Sequence, residues 1–177
     1  RGLVTAAPVP PGPAELLAAE APLDWQQRLS ARQRGGVRVL GELDVDPQPF
    51  LDECGFGATP TAALVLGRGS PDPEHVDPLV RRNLAHLAVT CADGEVTIGP
   101  FVQPGETACT SCLLMHRSAE DPELPEVERR YREASRADPA RPPDNRVLLT
   151  MALTWAVRDL TAWIDGELVL SFAPNLA

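Results

Sequence analysis

Three features of the sequence predict an open α/β layer fold. Strand-like runs alternate with helix-like runs, the stretch 62–66 is apolar at every position, and the strongest helical segment, 146–164, carries a broad apolar face. Alternation of the two element types favours a sheet covered by helices. A strand without polar positions suits a parallel sheet buried on both sides. With 177 residues, 44% of them hydrophobic, the chain is long enough for one such domain.

Taken in order, residues 1–5 read as the last strand of something upstream, and the proline-rich stretch up to Pro13 reads as a stiff linker. Residues 14–34 hold Leu16, Leu17, Leu23, Trp25 and Leu29 among Ala, Glu, Gln and Arg, which predicts two short helices interrupted at Pro22. After Gly35 and Gly36 a strand is expected at 37–41, then a short helix at 49–54 that stops at Gly55. Further strands are expected at 62–66 and 86–90, with a helix at 79–85 between them. Asp93-Gly94 is a hairpin signal, so 95–98 should return alongside 86–90 and end at Gly99-Pro100. Gln103-Pro104-Gly105-Glu106 reads as a turn with Pro at its second position, and Thr107 as the cap of a helix over 108–118. A charged helix follows at 126–135, then a Pro- and Arg-rich loop at 137–144. The long helix 146–164 is expected to be capped by Asp144 and stopped by Asp165-Gly166. Its apolar face would comprise Val147, Leu148, Met151, Ala152, Trp155 and Leu160, and a last strand is expected at 167–172.

Composition excludes several functions. The net charge is −9, opposite to what phosphate neutralisation requires, so a general nucleic-acid surface is not expected. Every basic residue is arginine, which removes a P-loop lysine, a Schiff-base lysine and a lysine general base. No apolar run reads as a membrane span and no segment resembles a signal peptide, so a cytoplasmic, reducing compartment is the expectation. The chain starts at Arg1 and stops inside a strand-like segment, and flanking segments are expected at both ends.

The chemistry-bearing constellations are few. Cys109 and Cys112 form the only close cysteine pair, set at a predicted helix mouth where both sulfurs can face one point. That suits half of a zinc site or a redox pair. A thioredoxin-like pair belongs at the first helix of a βαβ unit, whereas this one falls late, after a hairpin. A zinc site needs two more ligands, with Cys54, Cys91, His116 or cysteines past Ala177 as sources. His75, His86 and His116 are isolated and read as ordinary histidines, and the arginines at 129, 130, 132, 136 and 141 as a solvated face that could also meet an acidic peptide. A dinucleotide loop would follow the first strand with closely spaced glycines. Here Gly41-Glu42-Leu43-Asp44-Val45-Asp46 supplies one glycine and three carboxylates, which repel phosphate. Gly55-Phe56-Gly57-Ala58-Thr59-Pro60 matches partially, and reads as a turn.

The segment from His86 through Ile98-Gly99-Pro100-Phe101-Val102-Gln103-Pro104-Gly105-Glu106-Thr107-Ala108-Cys109-Thr110-Ser111-Cys112 to His116-Arg117 resembles the ThiF-like component of the cyclodehydratases that mature thiazole/oxazole-modified microcins, in its actinobacterial form. The likeness is specific over 84–125, extends to Phe172 and is weak before Leu64. It implies a ubiquitin-activating-enzyme-like, Rossmann-type open sheet over 35–177 whose nucleotide loop is degenerate, with no ATP bound. Residues 1–8 would be the tail of a winged-helix-like module that holds a precursor's leader peptide on an edge strand, and 9–34 a linker with short helices. Cys109 and Cys112 would match the first of two cysteine pairs that hold a structural zinc, the second lying past the end of this sequence, with Cys54 and Cys91 buried. The resemblance further implies a YcaO-type partner, fused or separate, that performs the ATP-dependent cyclodehydration, no catalytic residue in this chain, and a possible homodimer. The other functions open to the sequence are an adenylating ThiF-type activator and a zinc-stabilised domain without a peptide ligand.

Overall fold

A computed structural model describes residues 11–137, 143–167 and 169. The elements run α1 (Pro13–Glu20), α2 (Trp25–Arg34), β1 (Gly36–Leu40), α3 (Gln48–Asp52), β2 (Pro60–Arg68), α4 (Pro73–Arg81), β3 (Ala85–Ala92), β4 (Glu95–Val102), α5 (Thr110–Glu120), α6 (Leu124–Ala137) and α7 (Arg146–Ile164). The four strands form one open sheet in the order β1-β2-β3-β4. The first three are parallel and β4 is antiparallel to β3. The expected α/β class with a Rossmann-like open sheet is therefore present. The strands expected at 1–5 and 167–172 fall outside the described residues, apart from Glu167 and Val169.

Alternation along β2 explains why this strand is apolar throughout. Ala62, Leu64 and Leu66 face one side and join Leu87, Val89 and Phe101 against Ala152, Leu153, Ala156 and Leu160 of α7. Ala63 and Val65 face the other side, against Val76 and Leu79 of α4. A period of two on the strand thus meets a helix on each face. Val169 is buried in the α7 cluster.

Several boundaries differ from the sequence reading. α4 begins at Pro73, not 79, because the Asp72 carboxylate accepts the Glu74 amide at 3.0 Å and Pro73 sits at the first helical position. β4 runs through Gly99-Pro100 to Val102, with its register shifted opposite Leu87/Val89. As an edge strand of the described sheet it tolerates a proline, which has no amide to donate. Asn145, not Asp144, caps α7, accepting from the amides of Val147 and Leu148.

The largest correction concerns the face of α7. Leu149, Ala152, Leu153, Ala156, Val157 and Leu160 are buried, whereas Val147, Leu148, Met151 and Trp155 are exposed. The helix is apolar on both sides, so its stripe could be drawn on either. It is also, by length and composition, apolar enough to cross a membrane, contrary to the expectation that no apolar run reads as a membrane span. In the fold one side of it fills the core of the sheet.

His86 lies fully buried on β3. Its Nδ1 lies 2.9 Å from the Leu84 carbonyl, an acceptor, and its buried Nε2 finds no hydrogen-bond partner among the described residues. Burial pushes the imidazole pKa below its ordinary value, with the Leu84 carbonyl opposing weakly. A base whose folded pKa is depressed contributes its full stability above the unfolded value and loses it as the pH falls below that value. Unfolding free energy measured by denaturant titration should therefore decline as the pH drops from 7 to about 5.5, through the ordinary histidine pKa of about 6.5. His86→Leu should flatten that decline; a profile unchanged by the substitution would remove His86 as its cause.

A thiol pair at a helix mouth and the loops at the opposite sheet edge

The hairpin turn places Asp93 and Gly94 at φ 51° and 82°, the left-handed pair that a tight mirror-image turn requires. It reverses the chain so that Val102 ends beside His86, at the edge where the parallel strands begin. The next turn is type II in character: Pro104 stands at its second position, Gly105 has φ 85°, and the Glu106 amide donates to the Gln103 carbonyl at 2.9 Å. Thr107 pins this turn and does not cap the helix, for its Oγ1 accepts the Gln103 amide at 2.8 Å and reaches back to the Phe101 carbonyl. Trp163 moors the turn to the core helix, its indole N–H donating to Gln103 Oε1 at 3.2 Å and its ring tilted against Phe101.

Two residues on, Cys109 takes the N-cap position of α5, which starts at Thr110, two residues later than expected. The first amides of a helix lack intrahelical partners, so a sulfur here sits among aligned N–H groups. The two sulfurs lie 3.3 Å apart and both thiols are free. That separation exceeds the S–S bond of about 2.05 Å and falls short of the ~3.8 Å edge of a tetrahedral zinc thiolate. Burial raises the Cys109 pKa, but the amides of Cys112 and Ser111 and the Cys112 thiol outweigh it, leaving the group below its ordinary value. Cys109 is thus prepared as a thiolate donor, and with Cys112 beside it could supply two of the four ligands a zinc site needs. A cavity of about 490 Å³ opens beside it, bounded by Val80 of α4, Thr107 and His116.

The other sequence candidates are not brought to this point. Cys54 faces α7, receiving a weak contact from the Thr161 hydroxyl and lying 3.3 Å from the Phe50 carbonyl; burial pushes its thiol pKa up. Cys91 is buried on β3, paired in register with Arg68 and Val96. His116 shares the cavity, yet among the described residues no group of three His, Cys, Asp or Glu side chains is placed to hold a metal.

At the opposite sheet edge, past the C-terminal end of β1, the loop 41–46 is tied down by ion pairs. Arg68 Nη2 reaches Asp44 at 2.8 Å and Asp144 at 2.9 Å, and the Asp144 amide donates to Asp44 at 2.7 Å. A guanidinium thus occupies Asp44, one of three carboxylates in a loop that would need free amides to cradle phosphate. Gly41 is required there, with φ 79° and with the Leu66 carbonyl 2.0 Å from where a Cβ would sit. Gly57 is explained by contact alone: its amide donates to the Arg32 and Gly35 carbonyls, and a Cβ would lie 2.0 Å from the Gln33 carbonyl. The sequence reading missed the Asp44–Arg68–Asp144 cluster because Asp144 looked like a helix cap. It also missed a groove of about 790 Å³ over β3 and β4, beneath α5 and α6, which presents Thr90, Thr97, Tyr131 and Arg132.

The arginine face on α6 is an ion-pair ladder. Arg129 and Arg130 both bind Glu126, and Arg129 also binds Glu133. These hydrogen bonds, from Arg129 first and then Arg130, pull the Glu126 carboxyl down to about 2. The side chain of Arg136 and the whole of Arg141 lie outside the described residues.

No protein-family model and no curated protein matches this chain by sequence. Solved structures match it by fold. A heterocyclase in complex with substrate and cofactor aligns over 91% of this chain at 19% identity with a TM-score of 0.61. The heterocyclase TruD aligns over 84% at 17% identity and 0.59, and Escherichia coli MccB over 84% at 10% identity and 0.54. The chain spans 23% of the length of each of the two heterocyclases and 60% of MccB.

The two classes of thiol make a direct test. At neutral pH iodoacetamide should modify Cys109 and Cys112 well before Cys54 and Cys91, since the lowered pKa of Cys109 and the exposure of Cys112 favour the α5 pair, while Cys54 has a raised pKa and Cys91 is buried. Peptide mass mapping against time reads the order, and labelling of Cys54 at the Cys109 rate would contradict the assigned environments.

Proposed function

We propose that this chain is a non-catalytic scaffold of azol(in)e-peptide biosynthesis: a ThiF-like domain that helps hold a precursor peptide by its leader and presents the core to a YcaO-type ATP-dependent cyclodehydratase. The observation that carries this reading is the Cys109/Cys112 pair at the mouth of α5, inside a fold shared with heterocyclases, one of them seen with substrate. In this scheme the leader adds as a strand to a winged-helix-like module whose tail is residues 1–8, 9–34 connects it, and 35–177 forms the ThiF-like body. Cys109 and Cys112 supply two thiolates to a structural zinc, completed by a second pair, and the metal fixes the mouth of α5 without taking part in chemistry.

An adenylating activator is the second reading, favoured by the likeness to MccB, which has also been solved with AMPCPP and MccA. The three carboxylates of 41–46, and the tie from Asp44 through Arg68 to Asp144, weigh against it here.

Two experiments test the proposal. The full-length protein should bind its cognate leader peptide in calorimetry and give no ATP–pyrophosphate exchange; a clear exchange signal, or no affinity for the leader, would sink it. Metal analysis should find zinc, and Cys109→Ser should lower stability by several kcal/mol, as loss of a structural zinc ligand does. An unchanged melting temperature in that variant would rule out the zinc but leave the leader-binding result standing.

A further inference from the structure

The Cys109/Cys112 pair has a second chemistry open to it besides metal binding. Both thiols are free and their sulfurs lie 3.3 Å apart, against about 2.05 Å in a disulfide. The two cysteines are held differently. Cys109, at the N-cap, has an extended backbone with φ −83° and ψ 170°, whereas Cys112 stands inside the first turn of α5. The Cys109 carbonyl accepts the Leu113 amide at 3.0 Å, and a rotation about the Cys109 Cα–Cβ bond moves the sulfur without opening that hydrogen bond. The ring that a bond between the two sulfurs would close spans only residues 109–112, so its closure costs little chain entropy.

The pair is also reachable. Cys112 is exposed and Cys109 partly buried, and the cavity of about 490 Å³ beside them is walled by Val80, Pro104, Glu106, Thr107 and His116. That volume is in the range that admits a small molecule. Cys91, by contrast, is buried on β3, and Cys54 is turned toward Thr161 of α7.

We infer that Cys109 and Cys112 form a dithiol switch, closed into an intramolecular disulfide by a small-molecule disulfide admitted through the cavity beside them. The exposed Cys112, as its thiolate, attacks one sulfur of that molecule, forms a mixed disulfide and releases one small thiol. Cys109, as its thiolate, then attacks the Cys112 sulfur and displaces the second small thiol. The pair gives up two electrons and two protons, and the small disulfide leaves as two thiols. Once closed, the pair has no thiolate to offer a metal. Closure stands on the sulfur geometry alone; the release of zinc that it entails rests on the structural zinc proposed above. The place of the pair after a hairpin tells against a thioredoxin-like catalyst and leaves closure untouched.

Oxidised glutathione is the probe. The full chain is exposed to it with a chelator present, in buffer and in concentrated urea, and acid-quenched samples are mapped by mass. In buffer the peptide holding Cys109 and Cys112 should lose two hydrogens, keep no glutathione, and do so faster than in urea. Cys109→Ser should trap glutathione on Cys112 at least about tenfold above the wild-type level, because a neighbouring thiol competes at a high effective concentration. The inference is overturned if glutathione persists on the wild-type pair, or if closure in buffer is no faster than in urea, and neither reading depends on the variant. In a parallel run on the chain as isolated, zinc should pass to a metallochromic dye in step with closure. A chain that closes but never held zinc removes the structural metal and supports the switch. A chain that holds zinc but collects only glutathione adducts overturns the switch and leaves the metal.

Discussion

The packing of α7 across the sheet is the interaction on which the rest of this structure depends. Leu153 and Leu160 are fully buried against Leu64, Leu87 and Phe101, and each such side chain contributes about 1.5–3 kcal/mol on burial. The same helix fixes the periphery at both ends. Just ahead of its first residue, Asp144 binds Arg68 and so holds the loop after β1. At its last turn Trp163 grips the turn that leads to Cys109, and Asp165 takes a bidentate hydrogen bond from Arg32 of α2. Truncating the buried side of α7 would therefore loosen the thiol turn, the acidic loop and the N-terminal helices together.

Much of this architecture was readable from the amino acids, because strong local signals agreed with tertiary demands. The apolar run 62–66, Asp93-Gly94, the Pro22 break and Gln103-Pro104-Gly105-Glu106 each have one physical reading, and each holds in the fold. The errors arose where two readings were equal locally. Helix α7 has apolar residues on both sides, so only the position of the sheet decides which are buried. Asp144 and Asn145 are both good caps; a guanidinium 76 residues away in sequence takes the first and leaves the cap to the second. At Thr107 the turn competed with the helix for the same hydroxyl and won, because the Gln103 amide has no strand partner to satisfy it. Of the candidate site, the cysteine spacing was legible, whereas the separation of Cys54 and Cys91 from the pair depends on which face and which sheet edge each reaches.

The two sheet edges divide the chemistry. In open α/β sheets, ligands gather past the C-terminal ends of the parallel strands, and here that edge carries the Asp44–Arg68–Asp144 cluster. The thiol pair belongs to the opposite edge, carried there by the antiparallel return of β4. Distance and topology therefore separate any metal at Cys109 and Cys112 from the cleft in which this fold class handles nucleotides. The proposed structural metal would stand away from that cleft.

The union of α2 with the end of α7 has one more consequence. Arg28 and Arg32, one turn apart on α2, both point at the short stretch that holds Asp165 and Glu167, with the Asp165 side chain only 1% exposed. A buried carboxylate gripped by a rigid fork allows little sliding, while the rest of α1 and α2 borders an open groove. The N-terminal helices are thus moored at more than one place, by this fork, by the Gly57 amide on the Arg32 and Gly35 carbonyls and by the buried Leu17, and they form a fixed bracket on the end of α7.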